Sequence, residues 1–536
     1  VEAKNAARDD FVAKWRVEGL WTDTPLIAEI DAQTARAPAT RLVFSSLERP
    51  SEIGCADLLK ESVAVAAGLS ALGLRQGDII LSQTPHWKEG VALFLATLRL
   101  GIILVPVVHI YGPAEVDFLL AQTGAKALVL PDRWGNIDYG DRVSRLSSFH
   151  ALDNIVVIGA TGAMPGPALT WDEMLSRGTG TEPPQAVVRP EDICVINFTS
   201  GTTSAPKGVM HSNRSLRAEV IQSSAYVARA PAGAALITSP AGHIGGLTAS
   251  LRPFLSQEDT VFLDRWDLGR AIAMIERYDV ARGLCTPFHV NALLGAGNRP
   301  RSLRQLMVGG AGVSPTLIER LDDAGISGFR CWGCTEQPTA TSSLPHDPLH
   351  ARAFTDGAAM HGCAVRLRND AGELAAIGER GEVESIGPEL FEGYLDPSLN
   401  AAAFTSDGWY RTGDIGVLDA AGLLTIVDRK KDIIIRGGEN ISSKEVEDAL
   451  LLHPRIAEAA AVGIPDPTYG ERVAAFVTLN GDVPLTLDDL VLHFETRGIA
   501  RQKTPEHLFI IDDFPRNPSG KILKTMLRDR TRDIAR

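Results

Sequence analysis

From residue 58 onward, short runs of Val, Ile and Leu alternate with segments of helical period, and this alternation restricts the fold more than any other feature. Leu59, Val63, Ala66 and Ala67 share one helical face, and Gly73 is placed to end that helix. Residues 78–81 read as a strand, 91–100 as a helix, and 102–107, 127–130 and 154–158 as further strands. Strands separated by helices predict largely parallel sheet with helices on its faces. The pattern pauses over 165–190, which is rich in Gly, Pro and Thr and reads as a long surface connection. It resumes with strands expected at 235–237, 261–263, 284–285 and 306–308, and a helix at 267–278.

The texture changes near residue 355. Short strands at 363–367, 382–386 and 423–427, joined by Gly-containing turns, predict an antiparallel, β-barrel-like subdomain. A boundary is expected near Asp428-Arg-Lys-Lys-Asp432, dividing the chain into 1–428 and a small α+β unit, 429–536. Within that unit Ser442 and Glu445 form a capping-box pattern, strands are expected at 459–462, 473–479 and 507–511, and a helix at 487–497. The basic tail, with Lys524, Arg528, Arg530, Arg532 and Arg536, reads as a solvated helix. The fold class is therefore α/β: a large N-terminal domain of mixed, largely parallel sheets, followed by a small α+β domain. A chain of 536 residues exceeds one simple core, in keeping with that division.

Composition removes several function classes. A net charge of −13 argues against a nucleic-acid binder. The longest apolar run, 101–108, is interrupted by Pro106 and falls far short of the ~20 residues that span a bilayer. The first ten residues lack the apolar core of a signal peptide, and six scattered cysteines suit a reduced, cytoplasmic protein. Cys331 and Cys334 have the spacing of half a zinc site, but no second pair follows, so pocket-lining cysteines are the better reading.

The stretch 197–210 is made for anion binding. Thr199, Ser200, Thr202 and Thr203 supply hydroxyls, Gly201 lets backbone amides close on a phosphate, and Lys207 adds a point charge. It is not a Walker loop, because Gly208 rather than a hydroxyl follows Lys207. It resembles the phosphate loop of the acyl-adenylate-forming (AMP-binding) superfamily, T-S-G-T-T-G-x-P-K-G, with Ser204 in place of the usual glycine. Further matches follow in the superfamily's order: Pro240-Ala-Gly-His243-Ile-Gly-Gly246, Gly309-Gly310-Ala311, Trp332-Gly333-Cys334-Thr335-Glu336, Trp409-Tyr-Arg-Thr-Gly-Asp414, Asp428-Arg429, Arg436-Gly437-Gly438-Glu439-Asn-Ile441, and Pro515-Arg-Asn-Pro-Ser-Gly-Lys521-Ile.

The resemblance implies a two-step reaction: a carboxylic acid and ATP give acyl-AMP and pyrophosphate, then the CoA thiol takes the acyl group. It assigns Thr199 to Thr203, Lys207, Gly310, Ala311, Cys331, Trp332, Gly333, Thr335, Asp414, Ile426, Arg429 and Lys521 to ATP or AMP. Lys521, Thr199, Lys207, Glu336 and His243 form its catalytic set. Glu336 is the expected Mg²⁺ ligand, and Lys521 the cation for the α-phosphate and attacking carboxylate. His243 is read as a wall and gate beside the substrate carboxylate, and His211 as structural. His243, Ile244, Gly245, Gly246, Thr248, Gly309, Gly310 and Cys334 are the expected acyl pocket. With no Arg or Lys among them, a dicarboxylic acid is disfavoured, and the glycines suggest room for a medium, cyclic or aromatic acid. Arg436, Gly437, Gly438 and Glu439 are assigned to the CoA channel, and Asp428 to a hinge on which the small domain turns between half-reactions. The expected ligands are thus ATP, Mg²⁺, CoA and a small carboxylic acid, with a homodimer among the admitted assemblies. Two alternatives stay open: an adenylating enzyme that loads a carrier-protein thiol, and a non-catalytic nucleotide- or acyl-binding relative.

Overall fold

A computed structural model of the chain describes residues 6–147, 152–160, 168–199, 206–227, 231–297, 300–481, 483–517 and 520–531. In chain order, the elements that position the site begin with β1 (Ile193–Phe198), β2 (Gly208–Ser212), α1 (Asn213–Val227), β3 (Ala234–Ile237), α2 (Ile244–Ala249) and α3 (Arg252–Leu255). They continue with β4 (Val280–Cys285), α4 (Pro287–Gly295), β5 (Gln305–Val308), β6 (Ser327–Trp332), β7 (Gly393–Tyr394), β8 (Tyr410–Leu418), β9 (Leu424–Arg429) and α5 (Ser443–Leu451).

Two large sheets carry most of the chain. The first has eight strands in the order β7, β2, β1, Ile103–Pro106, Ile79–Ser82, Ala127–Pro131, Asn154–Ile158 and Ala168–Thr170. From β1 to the far edge its pairs are parallel, whereas β2 joins β1 and β7 antiparallel. All five residues of Ala127–Pro131 are buried, which is why that strand reads as an unbroken apolar run: both of its faces are covered. The second sheet has nine strands, with β6, β5, β4, β3, Thr260–Leu263 and Arg41–Ser45 parallel at its centre. Trp87, Phe44, Phe94, Phe254 and Phe262 are fully buried in the core that joins the layers. Each contributes about 2–3 kcal/mol of burial.

Residues 364–429 form the expected antiparallel sheet, Ala364–Arg368, Arg380–Ile386, β8 and β9. Its outer strands do not pair with each other among the described residues, so it is an open sheet rather than a closed barrel. A last sheet of five strands spans 434–510, with α5, Leu487–Thr496 and Lys524–Thr531 as its helices. Ser442 caps α5, its Oγ accepting from Glu445 N–H at 3.1 Å, but the expected reciprocal half of a capping box is not formed, because the Glu445 carboxylate accepts from Lys503.

Two expectations are corrected. The 165–190 connection contains a strand, Ala168–Thr170, and a helix, Trp171–Gly178. Thr170 and Glu173 cap that helix reciprocally, and Met174 is fully buried, but eight residues flanked by Gly and Pro are too few to show a period. The basic tail packs against the small domain over 524–531 instead of lying in solvent. Leu527 is fully buried there, Lys524 pairs with Glu447 at 2.6 Å, and Arg528 pairs with Asp432 at 2.7 Å. Arg532 and Arg536 lie outside the described residues. No helix among the described residues is long and apolar enough to cross a membrane.

Candidate active site

Buried Cys194, Val195 and Ile196 carry β1 into the hydroxyl-rich loop, and β2 leads out of it. Thr199 N–H donates to the Lys207 carbonyl at 3.0 Å and closes the loop's base. Ser200, Gly201, Thr202, Thr203 and Ser204 lie outside the described residues. Below the base, buried Asn197 donates from Nδ2 to the Gly242 carbonyl at 3.0 Å, tying the loop to the turn that bears His243. Lys207 Nζ stands 5.1 Å over the ring of Tyr394, whose strand β7 pairs with β2. The Tyr394 hydroxyl donates to Glu336 Oε1 at 2.7 Å. Burial and the neighbouring Glu336 push the phenol's pKa up, so it stays a donor.

Lysine, phenol and carboxylate thus form one line. Glu336 is 8% exposed and presents one carboxylate. Among the described residues no group of three metal-ligating side chains exists, so a cation here would draw its other oxygens from phosphates and water, the habit of Mg²⁺. His211, fully buried and kept neutral by that burial, bolts this region together. Its Nε2 lies 2.8 Å from the Thr335 carbonyl, which fixes the N–H on that nitrogen, and Nδ1 lies 3.2 Å from Ser215 Oγ.

β6 ends at Trp332, and the next residue has to be glycine: a Cβ at Gly333 would lie 2.0 Å from the Pro338 carbonyl oxygen. The Trp332 indole N–H donates to Asp414 Oδ2 at 2.8 Å. Asp414 and Arg429 face each other across β8 and β9, with Arg429 Nε 2.9 Å from Oδ1. That ion pair is not aligned as a hydrogen bond, so Oδ1 keeps an acceptor position although it is buried. Ile426 N–H donates to Asp356 Oδ2 at 2.8 Å, and Asp356 is held in turn by buried Arg330 at 2.7 Å.

Lys521 comes to the same place from the far end of the chain. Its backbone N–H donates to Asn517 Oδ1, and Asn517 N–H donates to its carbonyl, both at 2.9 Å. Arg429 and then burial push the ammonium pKa down to about 7, while Asp414 opposes them. The turn before it, Gly520 at φ +83°, rests on Phe288 at the start of α4, over which Arg516 stacks at 5.4 Å. Asp428, 6% exposed, accepts from Arg429 N–H and Ser443 N–H at 2.6 Å each, so it clasps the start of α5.

The residues assigned to the CoA channel are not gathered with these groups. Arg436 pairs with Glu506 at 2.9 Å above the Tyr469 ring, and Glu439 accepts from Gln502 at 3.0 Å. Gly437 and Gly438 form an exposed turn at φ +60° and +86°.

On the acyl side, His243 precedes α2 and its buried Nε2 has no partner. Burial lowers its pKa to about 4, so the ring is neutral at pH 7. Two further buried histidines lie beneath that turn: His86, 2.7 Å from the Ser239 carbonyl, and His109, whose pKa of about 3 reflects burial, then His86 and His243. Thr248 turns inward, donating to the Ile244 carbonyl at 2.9 Å. The missing side chains of Gly246 and Gly309 leave no room for substrate. A Cβ would meet the Pro240 carbonyl oxygen at 2.1 Å and Cys331 Sγ at 2.5 Å respectively. Gly245 does border space, its nearest neighbour being Leu284 Cδ2 at 3.9 Å. Gly310, at φ +77°, and Ala311 turn the chain beyond β5. Cys334 packs with Phe391, Tyr394 and Tyr410 near Glu336 and Asp414.

A cavity lies between strands β3–β6 and the helices α1 and α3, walled by Ile237, Leu284, Met307 and Phe329. Arg252 and Arg282 also line it, whereas none of the residues expected at the acyl pocket does. Sequence reasoning also passed over Tyr394, Asn197, His86 and His109. Tyr394 sits on a two-residue strand, too short for any pattern.

Two family models match the chain: AMP-binding enzyme over residues 30–395, and AMP-binding enzyme C-terminal domain over 445–521. It is 33% identical to the medium-chain fatty-acid–CoA ligase of Escherichia coli (strain K12), over 98% of this chain and 93% of that one. It is 30% identical to a feruloyl-CoA synthase of Amycolatopsis sp, over 89% and 93%. The o-succinylbenzoate CoA synthetase of Bacillus subtilis, solved with its acyl-adenylate intermediate, superposes with a TM-score of 0.81 at 26% identity, over 95% of this chain and 99% of that one.

Proposed function

The chain belongs to the AMP-binding enzyme family, and we infer that it is an ATP-dependent acid:CoA ligase of the AMP-forming acyl-CoA synthetase class. The full-length relatives named as CoA ligases and synthases favour CoA over a carrier-protein acceptor, and catalysis over binding alone. The observation that carries the site reading is the convergence of Lys521 with Asp414 and Arg429.

In the first step a carboxylate oxygen attacks the α-phosphorus of ATP and the bond to pyrophosphate breaks. Lys521, protonated beside the anionic phosphates, offsets the charge shared by the attacking carboxylate and the α-phosphate. Thr199 and Lys207 hold the β,γ-phosphates with the loop hydroxyls, Asp414 accepts the ribose hydroxyls, and Trp332 stacks on adenine. The free Nε2 of His243 is a polar atom facing the substrate side, and its low pKa makes it a neutral wall rather than a proton donor. Glu336 would hold Mg²⁺, which supplies charge neutralisation on the leaving pyrophosphate.

In the second step the CoA thiolate attacks the acyl carbonyl and AMP leaves. We place the division between domains at 428/429 and the pivot at Asp428, which would let the Gly437–Gly438 turn replace Lys521 beside the adenylate. The acid is of medium length, cyclic or aromatic. Exchange of labelled pyrophosphate into ATP across a panel of carboxylic acids tests the first step, and acyl-CoA formation with free CoA tests the second. Exchange with no acid at all would end the ligase reading.

A further inference from the structure

The cavity behind the central strands is defined by sheet register. Ala235 pairs with Arg282 and Arg282 with Gln305; one step further along, Ile237 pairs with Leu284, Leu284 with Met307, and Met307 with Phe329. Because side chains alternate along a strand, these residues point to one side of the sheet. Ser223 of α1 and Arg252 of α3 close the space from the helix layer.

The cavity has an apolar end and a polar end. Ile237, Leu284 and Met307 lie toward the strand ends that lead to Gly309–Gly310 and the His243 turn, and Leu284 Cδ2 approaches the open side of Gly245. Gln305 lies four residues before Gly309, about 13 Å down a strand. At that depth the polar groups differ in what they have left to offer. Arg282 is committed to Glu258 and to the Pro231 carbonyl, and Ser223 donates to the Val220 carbonyl at 3.0 Å. The Arg252 guanidinium and the Gln305 carboxamide line the cavity and make no side-chain hydrogen bond or ion pair among the described residues, although Arg252 acts on Glu219 through space. Glu219, the carboxylate whose charge Arg252 influences, is instead engaged by Thr339 at 2.7 Å, and burial beside Glu389 raises its pKa to about 7. Arg252 therefore lines the cavity with a positive charge whose electrostatic partner, Glu219, is hydrogen-bonded to Thr339 instead.

Resting on the ligase reading above, we propose that the acid carries a second oxygen acceptor at its far end, a keto or carboxylate oxygen, bound by Arg252 and Gln305 at the floor of the acyl pocket. The apolar walls take the body of the acid, and the paired donors set both its length and its terminal chemistry. A pocket of this kind discriminates steeply, because an acid that lacks the acceptor leaves a guanidinium desolvated and unpaired.

Three acids of matched length test this in pyrophosphate exchange: a plain fatty acid, its terminal methyl ketone, and its α,ω-dicarboxylate. At least one oxygen-terminated acid is expected to exceed the plain acid in kcat/KM by about 10-fold or more, the size of one charge-assisted hydrogen bond. Arg252→Met is expected to bring that ratio to near unity while exchange with the plain acid persists. Gln305→Leu is expected to lower the same ratio, which covers the case in which the arginine variant does not fold. A wild-type preference for the plain acid, or a ratio unchanged in a folded Arg252→Met, overturns the distal-acceptor proposal and leaves the ligase standing. Exchange with none of the three, nor with any other acid, overturns both.

Discussion

Lys521 owes its lowered pKa first to Arg429, and this makes a measurable dependence between two residues from opposite ends of the site. A fall from 10.5 to about 7 corresponds to about 5 kcal/mol of differential interaction. Burial accounts for a part that survives mutation, whereas the Arg429 contribution vanishes in Arg429→Gln. The variant's lysine should then titrate above the wild type's, since Asp414 loses its ion-pair partner and pulls harder on Lys521. Neutral amine is the form that reacts with acetic anhydride, so acetylation of the Lys521 peptide, followed by mass spectrometry against pH without ATP, reads the titration directly. A rise of about one unit would drop the neutral fraction at pH 7 from about one half to about one tenth, a roughly fivefold slower modification. Arg429→Lys keeps the charge and should keep most of the effect. An inflection near 10 in the wild type, or one that does not move in Arg429→Gln, would refute the placement of Lys521 beside the Asp414–Arg429 pair.

Lys521→Ala should abolish pyrophosphate exchange while thioester formation from supplied acyl-adenylate continues; equal loss of both half-reactions would count against its assigned role. Tyr394→Phe keeps the ring under Lys207 but removes the donor to Glu336, so it should lower exchange by about 10-fold and raise the Mg²⁺ requirement. Wild-type exchange at limiting Mg²⁺ would show that Glu336 is not the metal's carboxylate. Asp428→Pro fixes φ at the proposed pivot and should slow thioester formation more than adenylation, whereas Asp428→Ala, which also loses the clasp on Ser443, serves as the control for that contact. If the two variants impair both half-reactions alike, the pivot lies elsewhere.

The β1 strand, the Ser442 cap and the parallel strands around Ala127–Pro131 were legible because each is specified locally, by an apolar run or a capping pair. The 332–336 and 414 segments were legible through resemblance, and the Trp332 indole does donate to Asp414, whose charge in turn acts on Lys521. The acyl side was not. Only 284–285 of β4 read as strand, because Arg282 and Gly283 interrupt its apolar run, and those two residues line the cavity. The polar group that hid the strand is thus part of what the strand is placed to present, in keeping with local rules failing at binding sites. Nor could residue spacing have placed Arg282 beside Gln305 and Arg252. That requires the offsets between β3, β4, β5 and β6, and a slip of one residue in any pair would send the side chain to the opposite face. The nucleotide side is written in contiguous motifs and the acid side in sheet register. This is why the reaction could be read from the chain, whereas the chemistry proposed for the acid's far end depends on Arg252, a residue on a four-residue helix that belongs to no motif.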